Sequence, residues 1–135
     1  KVIEAAWGLA NRSLGMAFQM QDDLGDLVDQ NQDRYNDIKE RNPSLPVLLA
    51  CEENPALSAR FAQLWSSLPV TAEGARGLGE AVLDTGAVDR TLDAILRDVA
   101  DARAALAPDA GHPAVALIWA FAESLLADPR RVRAP

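Results

Sequence analysis

Cysteine, histidine and aromatic residues are all scarce in this chain, and each shortage closes off a class of protein. One cysteine, Cys51, leaves no internal disulfide, which fits a reducing compartment and so a cytoplasmic setting. No histidine or basic cluster lies near it in sequence, so it reads as a small core residue rather than a nucleophile. The single histidine, His112, sits in the turn Gly111-His112-Pro113 and has no second histidine with which to bind a metal. Aromatics reach only 5%, and β-branched residues are few, which disfavours sheet. No signal peptide is visible and no uncharged run approaches membrane-spanning length, so no transmembrane segment is expected. Positive charge is also short. Thirteen Lys and Arg against twenty Asp and Glu give a net charge of −7, which argues against a nucleic-acid partner. Any polyanionic substrate must then be held through metal ions or a local basic patch.

Ala, Leu, Asp and Arg are abundant instead, a helix-favouring mixture in 135 residues, enough for one domain with a single core. The spacing predicts an all-α helical bundle with no strand and no internal repeat. Residues 1–28 read as one long helix, apolar around most of its circumference and therefore expected to be buried on most faces. Residues 29–43 are polar and aperiodic, a loop. Residues 44–126 hold the later helices. Ser44 and Asn54 are placed as N-caps, with Pro46 and Pro55 in first turns, and Thr71 opens the next helix. Val88, Leu92, Ile95, Leu96, Val99 and Leu106 form the cleanest amphipathic stripe. Residues 127–135 make a basic, loose tail. The chain opens on Lys1 rather than Met, and it reads as a piece of something larger.

The chemistry concentrates in Phe18-Gln19-Met20-Gln21-Asp22-Asp23-Leu24-Gly25-Asp26. Asp22, Asp23 and Asp26 project from adjoining parts of one helix face, with Phe18 and Gln19 one turn earlier. Aspartate is a poor helix former and costly to bury unpaired. Three together repel one another unless a cation sits among them. A solvated acidic edge is the plain alternative, but the flanks are apolar on nearly every side. Mg²⁺ suits the group, because it takes one or two carboxylates, several waters and the phosphate oxygens of a substrate.

At these residues the chain resembles the trans-isoprenyl diphosphate synthases. Their second aspartate-rich motif reads F-Q-x-x-D-D-x-x-D, and Phe18, Gln19, Asp22, Asp23 and Asp26 match it throughout. The run Tyr35-Asn36-Asp37-Ile38-Lys39 through Ser44-Leu45-Pro46 is similar to the stretch that follows the motif in that family. Gly86-Ala87-Val88 and Ala102 through Leu106 fall where the family's late helices carry related residues. The resemblance implies the C-terminal part of the isoprenoid synthase fold, of geranylgeranyl- or farnesyl-diphosphate-synthase type, working as a homodimer or with a missing N-terminal portion. It implies a Mg²⁺-dependent condensation of an allylic diphosphate with isopentenyl diphosphate to a longer trans-polyprenyl diphosphate. By the same resemblance Asp22, Asp23 and Asp26 are the catalytic and metal residues, with Asp22 the direct ligand. Gln19 hydrogen-bonds diphosphate, and Phe18 packs on the isoprenoid.

Two departures from the family pattern bear on activity. Gln32 and Asn42 stand where the family has lysines, leaving Lys39 and Arg41 as the nearby cations able to bind diphosphate. The family's first aspartate-rich motif is nowhere in these residues, so the active site they form is incomplete without it. Two other readings stay open: a class I terpene cyclase, and a non-catalytic regulatory subunit of a prenyl synthase. Trp7, Trp65 and Trp119 read as core or packing residues, Glu52 and Glu53 as an ordinary charged helix end, and Arg130, Arg131 and Arg133 as part of the tail.

Overall fold

A computed structural model describes residues 2–31 and 34–133. Among them the chain forms seven α-helices and no strand: α1 (Val2–Val28), α2 (Asn36–Lys39), α3 (Leu45–Glu53), α4 (Pro55–Trp65), α5 (Ala72–Leu83), α6 (Ala87–Leu106) and α7 (Pro113–Arg133). The all-α expectation holds. The chain divides into two compact units, with the divisions falling within the residue ranges of α1 and α6. One unit takes the chain up to Gln21 and resumes at Leu92; the second spans Asp22–Thr91.

The Asp22–Thr91 unit is built around α5, which packs on α2, α3 and α4, while α3 packs on α4. Leu27, Ile38, Val47, Leu57, Phe61, Leu78 and Val82 fill its core. The helix starts are local chemistry. Asn54 accepts from the Ala56 N–H with Pro55 in the first turn, and Thr71 accepts from the Gly74 N–H. Each side chain satisfies an amide that has no partner within its own helix. Ser44 occupies the N-cap of α3 without a side-chain bond. The start of α6 is tied to α3, since Glu53 Oε2 accepts from the Gly86 N–H at 2.8 Å and Arg90 pairs with Glu52 at 3.3 Å. Glu52 and Glu53 thus bond across to α6, beyond the ordinary charged helix end that the sequence suggests.

In the other unit the amphipathic stripe of α6 is buried as its spacing predicts, with Leu92, Ile95, Val99 and Leu106 almost fully enclosed. A 3₁₀ turn over Ala107–Asp109 leads to α7, whose first turn is capped by His112 Nδ1 accepting from the Ala114 N–H at 3.1 Å. The helix α7 continues to Arg133, past the expected end at 126. Three of its last seven residues are Arg, which ranks high in helix propensity.

Three expectations need correction. The first concerns α1, which is buried along one stripe only: Ala6, Ala10, Leu14, Ala17, Met20, Leu24 and Leu27 are enclosed, whereas Trp7, Leu9, Met16 and Phe18 are about half exposed. Periodicity reports how apolar a surface is, not whether the chain supplies something to cover it. Trp7 is accordingly not a core residue. The second concerns residues 29–43, which are not all loop, because Asn36–Lys39 closes a turn of helix. The Asp37 N–H, donating to the Asp26 carboxylate, supports that turn against its weak local propensity. The third is the tail, which is helical over residues 127–133 where looseness was expected. No helix among the described residues is long and apolar enough to cross a membrane.

Candidate functional site

The acidic motif occupies the last turns of α1, where the helix gives its three carboxylates different surroundings. Asp22 is exposed, Asp23 is buried at 8% and Asp26 lies between. Phe18 and Gln19, one turn earlier on the same helix, are exposed.

Asp26 is held by backbone amides from the chain that follows the helix. The Asp37 N–H donates to both of its carboxylate oxygens at 3.2 Å, and the Tyr35 N–H donates to its backbone carbonyl at 2.8 Å. Burial pushes its pKa up to about 6; the Asp37 and Asn36 amides work against that rise, and the negative charges of Asp37 and Asp23 add to it. An acidic group in this state gains from an added positive charge. The returning strand of chain is fixed further by Arg34, whose Nε donates to the Leu27 carbonyl at 2.9 Å and whose guanidinium lies 4.7 Å over the Tyr35 ring.

The expected cations divide. Arg41, at a left-handed φ of 60°, sends Nε to the Trp65 carbonyl at 2.9 Å and an Nη to the Ser67 carbonyl at 2.7 Å. It covers the C-terminal end of α4, where carbonyls lack partners within the helix. Lys39, half-buried at the end of α2, makes no ion pair among the described residues. Asn42 ties back to Asp37, its Nδ2 donating to Oδ1 at 3.1 Å and its N–H to the carbonyl at 2.8 Å. Gln32 lies outside the described residues.

Among the described residues no three His, Cys, Asp or Glu side chains converge to hold a metal ion. The donors suit a hard cation in kind but do not cage one. That fits Mg²⁺ only when a ligand's phosphate oxygens complete its shell, with Asp22 as the open carboxylate.

The polyprenyl synthetase family model matches residues 2–73, more than half of the 135. The chain belongs to the polyprenyl synthetase family. No curated protein and no solved structure matches it. The matched stretch runs from α1 into the first turn of α5 and so contains the whole acidic motif, Lys39, Arg41 and Asn42. The late-helix likenesses around Gly86 and Ala102 lie beyond it. Members of this family transfer prenyl groups, act on isoprenoid diphosphates and in general use Mg²⁺.

Sequence reasoning missed the partners of this motif. Asp37 and Tyr35 bond to Asp26, Trp65 bonds to the Ile38 carbonyl in the turn beside them, and no spacing signal links any of the three to the motif. The only available hint was the Tyr35-Asn36-Asp37 run itself, which holds turn-forming residues just after the motif.

Proposed function

We propose that this chain supplies the second acidic wall of a Mg²⁺-dependent trans-polyprenyl diphosphate synthase, which joins an allylic diphosphate to isopentenyl diphosphate. In the reaction the allylic C–O bond breaks and its electron pair leaves with the diphosphate. The double bond of isopentenyl diphosphate then forms the new C–C bond, and loss of a proton gives the longer product. Bound Mg²⁺ supplies charge neutralisation for the departing diphosphate. Asp22 holds the cation side of that complex; Asp23 acts less directly, by its negative field, and Asp26 by fixing the surrounding chain. Lys39 contributes a positive charge toward the diphosphate, Gln19 a hydrogen bond, and Phe18 an apolar surface for the prenyl chain. The protein's share is orientation and a preset electrostatic environment. The first aspartate-rich motif comes from elsewhere in the polypeptide or from another chain, and the assembly is a cytoplasmic homodimer.

The observation that carries this reading is an exposed Asp22 one helical turn ahead of a half-buried Asp26 whose two oxygens both take the Asp37 N–H. Calorimetric titration of the full-length protein with inorganic pyrophosphate tests it. Uptake is expected only with Mg²⁺, and Asp22→Ala weakens it by about tenfold or more. Equal uptake in the presence of a chelator overturns the reading. Release of a hydrocarbon from geranylgeranyl diphosphate alone overturns it in favour of a cyclase.

A second reading, a regulatory subunit that binds without turning over, draws support from Arg41 being spent on α4 and from Asn42 standing in place of a lysine. Product formation by the purified full-length protein alone removes it.

A further inference from the structure

Helix α2 is one turn long, and its own N-cap residue cannot cap it. Tyr35 sits there in the left-handed region at φ 65° and makes no side-chain bond to the first amides. Amides at a helix start need an acceptor. The acceptor here is Asp26, eleven residues earlier, taking the Asp37 N–H on both oxygens while its own carbonyl takes the Tyr35 N–H. The other end of α2 is held from α4, where Trp65 Nε1 donates to the Ile38 carbonyl at 2.9 Å. Asn42 closes the same piece of chain onto Asp37. Lys39 rides on this turn, and its N–H bonds to the Tyr35 carbonyl at 3.1 Å.

We propose that Asp26 is a positioning residue: it caps α2 across the connection from α1, and so sets where Lys39 stands relative to Asp22. Its contribution depends on a carboxylate-shaped acceptor, not on delivering charge to a metal. This rests on the reading of Asp22 as the carboxylate that faces the cation. The two roles predict different substitution patterns. Asparagine keeps an acceptor oxygen in the same place and loses the charge, whereas alanine loses both.

The test uses the full-length protein, with amide exchange and Mg²⁺-dependent pyrophosphate binding measured side by side. Asp26→Ala is expected to lower protection of the Asp37 amide and weaken pyrophosphate binding, each by about tenfold. Asp26→Asn is expected to retain most of the protection and to weaken binding by only about threefold. Asp26→Asn matching Asp26→Ala in binding while its Asp37 amide stays protected overturns the proposal and makes Asp26 a charge donor. Unchanged Asp37 protection in Asp26→Ala overturns it as well. Asp22→Asn runs beside them as a separate check. If it binds pyrophosphate as well as the unaltered protein, the metal reading of Asp22 fails, while the amide exchange still decides whether Asp26 caps α2.

Discussion

The Tyr35 ring fills the space in which a side chain on Gly79 would stand: a Cβ at that glycine would lie 2.3 Å from both Cδ1 and Cε1 of the tyrosine. Gly79 is on the buried face of α5, and its missing side chain lets the turn before α2 settle against that helix. Neither group has a free direction to move, since Tyr35 is 5% exposed and lies beneath the Arg34 guanidinium. Gly79→Ala is therefore expected to destabilise the protein by about 2–3 kcal/mol, read as a lowered denaturant midpoint. On a Tyr35→Ala background the same change should cost far less, because the obstructing ring is gone. Additive losses in the double variant would show that the two residues do not compete for one space.

Arg41 and Lys39 are close in sequence but are expected to fail differently. Arg41→Ala uncovers two carbonyls at the end of α4, and the resulting loss is one of stability, about 1 kcal/mol at this exposed position. Lys39→Ala removes a cation that no other described residue pairs with, so its principal effect falls on affinity for Mg²⁺-pyrophosphate. Titration calorimetry should show a loss several-fold larger for Lys39→Ala than for Arg41→Ala. The reverse order would move the diphosphate toward Arg41 and require that side chain to leave α4.

Asp26 also gives the metal-free protein a pH dependence of known sign. Its pKa is raised by burial to about 6 from an ordinary 3.8, so between those values the folded state binds the proton more tightly than the unfolded state does. The stabilisation from this group is therefore full below about pH 4 and fades as pH rises through about 6. Asp23 on α1 and Asp37 on α2 are the acidic neighbours that share in the effect. Asp26→Asn removes the titration. The stability of the unaltered protein minus that of Asp26→Asn should rise as pH falls from 7 to 4, by chemical denaturation without metal. A difference that stays flat over that range would mean that Asp26 is solvated.

How much of this was legible beforehand depends on the range of each interaction. Asn54-Pro55 and Thr71 start helices through bonds spanning two or three residues, and the stripe from Leu92 to Leu106 follows the helical period, so both were readable. The acidic motif was readable for the same reason, as residues one turn apart on a single helix. Asp26 and Asp37 are eleven residues apart, and Trp65 meets the Ile38 carbonyl across twenty-seven, with no periodic pattern to join either pair. Glu53 meets Gly86 across thirty-three. The exposure of Trp7, Leu9 and Met16 was unreadable for a different reason, since apolar character alone does not reveal which face has a partner.

Phe18 brings that last point to bear on function. It is 52% exposed, on the same helix and one turn before Asp22, so trimming it leaves little cavity in this chain. Phe18→Ala should change stability by no more than about 0.5 kcal/mol, the ordinary range for a surface position. If its ring instead serves as a wall for the prenyl chain, the loss appears on substrates with apolar length. Each buried CH₂ is worth about 0.8 kcal/mol, so the KM penalty of Phe18→Ala should grow with the number of isoprene units in the allylic diphosphate. Affinity for inorganic pyrophosphate, which has no apolar part, should fall much less. Steady-state kinetics with a short and a long allylic substrate separates the outcomes, and an equal penalty on both would take Phe18 out of the prenyl-binding surface.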